Sequence, residues 1–313
     1  MNWAVPAAAL LLALAVDAWL GEPPARWHPV VWIGNYLGWI GRRIAPAQEA
    51  RDPDLKAFVL GALAWFAGAA MVCVAAWWLQ HALLSLPTLL AALLLSLALK
   101  PLLAWAMLQR EVLAVEAALG ESLDAGRQRL AWLVSRDVAA LTEGQVRESA
   151  IESLAENLND SVVAPLFWFV LLGLPGAALY RFANTADAMW GYRGERNGRV
   201  WEWAGKWAAW ADDVLSWVPA RITAVLLMAV AGSARGWTLL REARLTPSPN
   251  SGWPMAAMAL VLDVRLGKPG VYTLNRDGRV PEAPDTVRAI RYARNTLLAL
   301  ILVALAALFL IAK

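Results

Sequence analysis

The chain has 313 residues, 59% of them hydrophobic, and a mean hydropathy of +0.48; soluble domains are about 45–50% apolar, so an ordinary soluble fold is excluded. Lys and Arg number 28 against 25 Asp and Glu, a net charge of +3, without the basic-aromatic stripe of a nucleic-acid surface, so no nucleic-acid partner is expected. One cysteine, Cys73, excludes a disulfide framework and a thiolate metal cluster.

A membrane-crossing helix needs roughly 20 apolar residues. Residues 3–20 form the first such run, with one charge, Asp17, near its end; the leading Met-Asn-Trp has no Lys or Arg, which argues against a cleaved signal. Residues 57–79 and 82–99 are uncharged and separated by Gln80-His81, and the second run meets Lys100-Pro101. Residues 161–180 are uncharged but interrupted by Pro165, Gly173 and Pro175-Gly176, the pattern of a re-entrant or broken helix. Residues 214–234 are split by Pro219 and Arg221, leaving 13 apolar residues, short for a span. Residues 297–312 close the chain as a last apolar run.

This order predicts an all-α, polytopic integral membrane protein: four transmembrane helices plus two re-entrant or interfacial segments, with six spans as the alternative. Residues 1–313 read as one membrane-embedded domain without repeats. The stretches 21–56, 109–160, 181–213 and 235–294 carry five, five, five and ten Lys and Arg, which places all four in the cytoplasm of a bacterial inner membrane. Nineteen tryptophans fit aromatic belts against the lipid bilayer. Trp203, Trp207, Trp210 and Trp217 share one helical face, either as an interfacial helix with Asp212 turned to the cytoplasm or as a buried ridge.

Glu148, Glu152, Glu156 and Asp160 recur every four residues, beside Asn157 and Asn159. At 100° per residue they share a helix face, where like charges repel. The bland alternative is a solvated face. The stripe runs into an apolar segment at Val162, however, where bare carboxylates are costly. Such a set suits Mg²⁺, which takes one or two carboxylates plus a substrate phosphate.

In NTADAMWGYRGER, Asn184 and Asp187 share a face, and Gly191 and Gly194 break the helix beside Arg193 and Arg196. Acid, amide and guanidiniums together suit a metal-bound phosphate; the bland alternative is a capped helix with a basic loop. Asp212-Asp213 precede Pro219 and Arg221, as metal ligands or as ion-pair partners of the arginine. His28, between Trp27 and Pro29, reads as a structural hydrogen-bonder or a ligand. TPSPNSGWPM holds Ser248, Asn250 and Trp253 in a loop whose amides can face an anion. Any nucleotide is held without a P-loop, because G-x-x-x-x-G-K-[ST] is absent, as are H-E-x-x-H and G-x-S-x-G.

Taken together, D-x-x-L-G-E-P-P-x-x-W-H-P-V-x-x-I-G from Asp17, E-S-L-A-E-N through V-V-A-P-L-F-W from Glu152, N-T-A-D-A-M-x-G-Y-R from Asn184, D-D-V-L-x-x-x-P-A-R from Asp212 and S-P-N-S-G-W-P-M-A-A-M from Ser248 resemble the CobD/CbiB family, adenosylcobinamide-phosphate synthase. Two positions depart from the family pattern. Ser161 stands where Gly often follows the stripe's last Asp, and Leu266-Gly267-Lys268-Pro269 stands for L-G-G-P.

The resemblance implies a carbon-nitrogen ligase of cobalamin biosynthesis. It would join a carboxyl of adenosylcobyric acid, a corrinoid, to the amine of (R)-1-aminopropan-2-ol or its O-phosphate, using ATP as co-substrate and Mg²⁺. Glu152, Glu156 and Asp160 would be catalytic and, with Asp187, Asp212 and Asp213, would hold metal. His28, Asn157, Asn184, Arg193, Arg221, Ser248, Asn250 and Trp253 would bind substrate, and other corrinoid-assembly membrane enzymes are possible partners. A secondary transporter or a non-catalytic scaffold of corrinoid assembly is the alternative; a transporter would bury its acids mid-span and show inverted repeats.

Overall fold

The computed structural model describes residues 3–47 and 53–311. Met1-Asn2, residues 48–52 of the first long loop and Ala312-Lys313 at the end of the last apolar run lie outside the described residues. The described chain is helical: α1 (Ala4–Leu20), α2 (Pro29–Ile44), α3 (Leu55–Leu84), α4 (Thr88–Leu99), α5 (Trp105–Glu121), α6 (Leu123–Leu130), α7 (Glu143–Leu158), α8 (Ala164–Leu172), α9 (Leu174–Trp190), α10 (Lys206–Val230), α11 (Gly236–Glu242), α12 (Gly252–Leu262) and α13 (Ala283–Ile311). Two small antiparallel hairpins, β1 (Glu195–Arg196) with β2 (Arg199–Val200) and β3 (Leu266–Lys268) with β4 (Tyr272–Leu274), complete it.

Four helical stretches are long and apolar enough to cross a membrane: Leu55–Leu84, Thr88–Glu121, Lys206–Val230 and Ala283–Ile311. The number matches the expectation, but one member differs. Lys206–Val230 qualifies, whereas Ala4–Leu20 is a shorter apolar helix of 17 residues. Pro219 lies inside α10 and does not end it. A helical proline leaves the carbonyl four residues earlier without its amide donor, and here the Trp168 indole Nε1 donates to that Leu215 carbonyl at 3.0 Å. Trp168→Phe is therefore expected to lower stability by about 1–3 kcal/mol, measured as the unfolding midpoint in mixed detergent micelles.

The chain divides into two compact units, one of Met1–Leu103, Ala164–Leu215 and Ala307–Lys313, the other of Ala104–Val163 and Ser216–Ala306. In the first, α1 packs on α4, and α2, α3 and α8 pack on α9. Leu37, Trp65, Phe182 and Trp190 fill its core. Gly68 makes the α3–α9 contact possible, because a Cβ there would sit 2.5 Å from the Phe182 ring. Gln80-His81, expected to separate two spans, lies within α3, and the turn falls at Ser85–Pro87 instead. Gln80 is occupied elsewhere: its Oε1 accepts from the Leu174 amide at 2.6 Å, satisfying one of the free N–H groups at the start of α9. The 161–180 segment is broken as expected, with Gly173 at φ +70° between α8 and α9.

The tryptophan stripe is divided: Trp203 and Trp207 pack against the first unit's core, while Trp210 and Trp217 are exposed. Trp207 lies 5.1 Å from Phe66 and 6.3 Å from Trp65, and Trp210 lies 5.7 Å from Phe58, all between ring centroids. Trp203 precedes α10 and carries the Lys206 ammonium 3.5 Å over its ring.

In the second unit, α7 packs against α5, α6 and α12. The stretch 109–160, read as a loop, is thus mostly helix. A capping box starts α7: the Thr142 hydroxyl accepts from the Gln145 amide at 3.4 Å, and the Gln145 side chain accepts from the Thr142 amide at 2.9 Å. Val146, Ala150, Leu154 and Leu158, spaced at four, bury one face of α7. Past Leu158 the helix widens into a π-turn, Asn159–Val163, a feature frequent at functional sites.

Candidate active site

The second unit holds a cavity of about 320 Å³ against the polar side of α7. Its lining includes Arg136, Glu152, Glu156, Asn157, Lys268 and Tyr272. Two local devices aim these groups. The four-residue repeat on α7 brings Glu148, Glu152 and Glu156 to one face. The β3–β4 hairpin, turning through Gly270 at φ +74°, sets Lys268 opposite Tyr272.

Each carboxylate meets a different environment. Glu148 is buried, with its Oε1 accepting from Arg265 Nε at 3.2 Å and Nη2 at 3.1 Å. Burial raises its pKa, and Arg265 partly offsets the rise. Glu152, also buried, accepts from Arg136 Nη2 through Oε2 at 3.2 Å, and the same guanidinium donates to the Ser149 hydroxyl at 2.6 Å. The second oxygen, Glu152 Oε1, is buried with no hydrogen-bond partner among the described residues, as is Arg136 Nη1. Burial pushes Glu152 to about 6 despite the attraction of Arg136.

Glu156 lines the cavity, and none of the described residues offers it a hydrogen bond or an ion pair. Burial, then repulsion from Asp160 and Glu152, raises its carboxyl to about 8, against the pull of Lys268 and Arg136. Beside it, burial and the Glu152 charge push the Tyr272 phenol far up, so it stays a neutral donor.

The flanking residues are held by the same unit. Asn157 donates to the Ser153 carbonyl at 3.0 Å, and Asn159 donates to Asp160 at 2.8 Å while accepting from the Thr223 hydroxyl at 3.0 Å. Arg221 donates to Asn250 Oδ1 at 2.5 Å and to the Pro249 carbonyl at 3.0 Å. Its guanidinium lies 4.6 Å from both the Trp217 and the Trp253 ring centroids. Ser248 lines the cavity and accepts from the amides of Asn250 and Ser251 at 3.2 and 3.3 Å, tying down the proline-rich loop.

The remaining expected residues, His28, Asn184, Asp187, Arg193, Asp212 and Asp213, belong to the first unit. His28 has both ring nitrogens engaged: Nδ1 accepts from the Val30 amide at 3.3 Å, capping α2, and Nε2 meets Glu22 at 3.1 Å. The Asp187 carboxylate folds over the C-terminus of α9, touching the position a Gly191 side chain would take. Arg193 is exposed.

Arg136, Tyr272 and Arg265 were not expected. They lie on turns and short strands without periodicity. Lys268 was visible only as a departure from the family's pattern.

Mg²⁺ fits this cavity as a shared ion rather than as a fully caged one. The unpartnered oxygen of Glu152 and the cavity-facing Glu156 offer the one or two carboxylates that Mg²⁺ takes beside phosphate. Among the described residues no three or more His, Cys, Asp or Glu side chains gather as a metal cage.

Fold and site define an all-α membrane protein that carries a carboxylate-guanidinium cavity on a polar helix. Comparison then gives the family: the sequence model of the CobD/Cbib protein family matches residues 10–301. The chain is 40% identical over 306 residues, 95% of each chain, to a probable cobalamin biosynthesis protein CobD of Methanothermobacter thermautotrophicus. It is 44% identical to the protein of that name from Thermococcus kodakarensis, with 90% of this chain and 88% of the relative covered. Against the cobalamin biosynthesis protein CobD of Chromobacterium violaceum it is 42% identical, covering 82% and 80%. No solved structure matches. The chain belongs to the CobD/CbiB family.

Proposed function

We propose that this membrane protein acts in cobalamin biosynthesis as an ATP-dependent amide ligase, joining adenosylcobyric acid to (R)-1-aminopropan-2-ol or its O-phosphate at the cavity on α7. The observation that carries the reading is Glu156, a carboxyl facing the cavity beside Lys268 and tuned to about 8. Proton transfer works best when the group's pKa lies near the working pH, and an amine arrives as an ammonium that must lose a proton before it attacks.

The chemistry follows from the groups. A carboxylate is a poor electrophile, so its oxygen first attacks the terminal phosphorus of ATP, giving an acyl phosphate and ADP. The ammonium passes one proton to Glu156, and the freed nitrogen attacks the acyl carbon. The carbon–oxygen bond to phosphate then breaks, and the nitrogen passes its second proton to the departing phosphate as the amide forms. Arg136 and Lys268 would stabilise the phosphate oxygens, where fixed positive charge counts most. Tyr272 and Asn157 would donate to the substrates. Glu152, beside the substrate phosphates, would hold Mg²⁺, which would supply charge neutralisation to the phosphates when bound and leave Glu156 free to take the proton. The Lys and Arg content of residues 109–160 and 235–294, which supply the cavity's lining, supports a cytoplasmic position for it.

The test uses the purified protein in detergent, supplied with ATP, Mg²⁺, adenosylcobyric acid and aminopropanol or its phosphate. Mass spectrometry is expected to show the amide, lost when ATP is left out. Absence of amide from the active-purity protein with either amine, in the presence of ATP and Mg²⁺, would sink the ligase reading.

A further inference from the structure

The first unit contains a separate cavity of about 500 Å³ at the C-terminal end of α2 and α9. Three guanidiniums line it: Arg42, Arg196 and Arg199. Arg196 and Arg199 are direct cross-strand partners in the β1–β2 hairpin, whose Asn197-Gly198 turn holds both residues at positive φ, +52° and +68°. Asn-Gly is the preferred pair for such a two-residue turn, so the sequence itself specifies this register. Like charges directly opposite on a hairpin are destabilising. No ion pair from the described residues relieves them: none of the three arginines meets a carboxylate of the described residues.

Arg196 and Arg199 are held, while Arg42 is exposed at the rim. Arg199 Nη1 donates to the Ala45 carbonyl at 3.0 Å, and the Arg196 guanidinium lies 3.9 Å from the Tyr192 ring centroid. The wall between them is apolar and tightly built. Trp190 and Trp201 stack at 6.1 Å, and a side chain at Gly41 would meet the Trp190 indole nitrogen at 2.8 Å. Leu37 and Met189 complete that side. Fixed guanidiniums over an apolar wall match a ligand with a phosphate at one end and an apolar body at the other, because guanidinium forks bind phosphate bidentately.

We propose that this cavity is a binding site for a phosphate-bearing amphiphile, with Arg42, Arg196 and Arg199 on the phosphate and the Trp190–Trp201 wall under the apolar part. The chemistry is shared by a phospholipid headgroup and by a soluble organic phosphate, and the assignment stands independently of the ligase reading. Two probes separate the sources: inorganic pyrophosphate titrated by calorimetry into the detergent-purified protein, and phosphatidylglycerol retained in native mass spectra after reconstitution and extraction.

At least one probe is expected to bind the unaltered protein. Arg196→Gln with Arg199→Gln is expected to weaken that binding about tenfold or more, Arg196→Lys with Arg199→Lys less than that, since charge remains while the fork is lost. Arg43→Gln, whose parent guanidinium lies over Trp39 and not in the cavity, is expected to bind as the unaltered protein does. Size-exclusion profiles and helical circular dichroism identify any variant that fails to fold, and the Lys pair then carries the comparison. Phosphatidylglycerol retention alone assigns a lipid headgroup, and pyrophosphate binding assigns a soluble phosphate. Binding of neither probe to the unaltered protein, or equal losses for Arg43→Gln and the double variants, overturns the site.

Discussion

Glu156→Gln is expected to slow amide formation by roughly 100-fold or more, the scale of one general base, and to remove a limb from the pH–rate profile. With its carboxyl raised to about 8 by burial and by its acidic neighbours, Glu156 keeps its proton at lower pH and cannot accept another. The rate with the intact protein should therefore rise with pH and level off near 8. The Gln variant, isosteric but unable to take a proton, should lack that rise. Stability moves the other way. The folded-state pKa lies above the ordinary value of 4.5, so folding favours the neutral acid, and that contribution is complete below about 4.5 and lost as pH climbs to about 8. The Gln variant should unfold with less dependence on pH over this window. Added Mg²⁺ should shift the rate limb to lower pH, since a nearby cation favours the ionised carboxyl. Identical profiles for the two proteins would remove Glu156 from proton transfer.

Lys100→Met is expected to be among the most destabilising single changes in the first unit. Its ammonium lies 2.8 Å from Glu22 Oε2 and 3.4 Å from Asp17 Oδ1, and Asp17 is fully buried at 0% exposure. Methionine keeps the length of the side chain and deletes only the charge. The buried Asp17 and the half-buried Glu22 would then have one cation fewer between them, and breaking a buried pair from one side costs about 3–5 kcal/mol. Adding Asp17→Asn and Glu22→Gln to the same protein should recover most of the loss, because the buried charge is gone as well as its partner. Unfolding midpoints in mixed micelles give the comparison. A Lys100→Met protein as stable as the original would show that water, and not Lys100, neutralises the two acids.

The two clusters differ in how far they could be read from residues alone. The α7 stripe was legible because its spacing of four matches the helical repeat, so Glu152, Glu156 and Asp160 announce a shared face without any tertiary information. Their partners were not. Arg136 comes from the turn before α7 and Tyr272 from a three-residue strand, and neither position obeys a period that predicts its direction. Pro219 and the Gln80-His81 pair misled for a related reason. A proline or a polar pair breaks a helix only if its stranded backbone or side-chain groups find nothing better, and here Trp168 and Leu174 supply the partners from distant sequence.

Uncharged runs and periodic carboxylates are local properties, and they sufficed for a helical membrane protein with an acidic stripe on one helix. The partners of each charge were left to the tertiary structure: which acid meets an arginine, which meets only the cavity, and which arginines stand opposite each other on a hairpin. Burial and distance set a group's proton affinity and its need for a ligand, and both arise only when segments far apart in the chain are packed together.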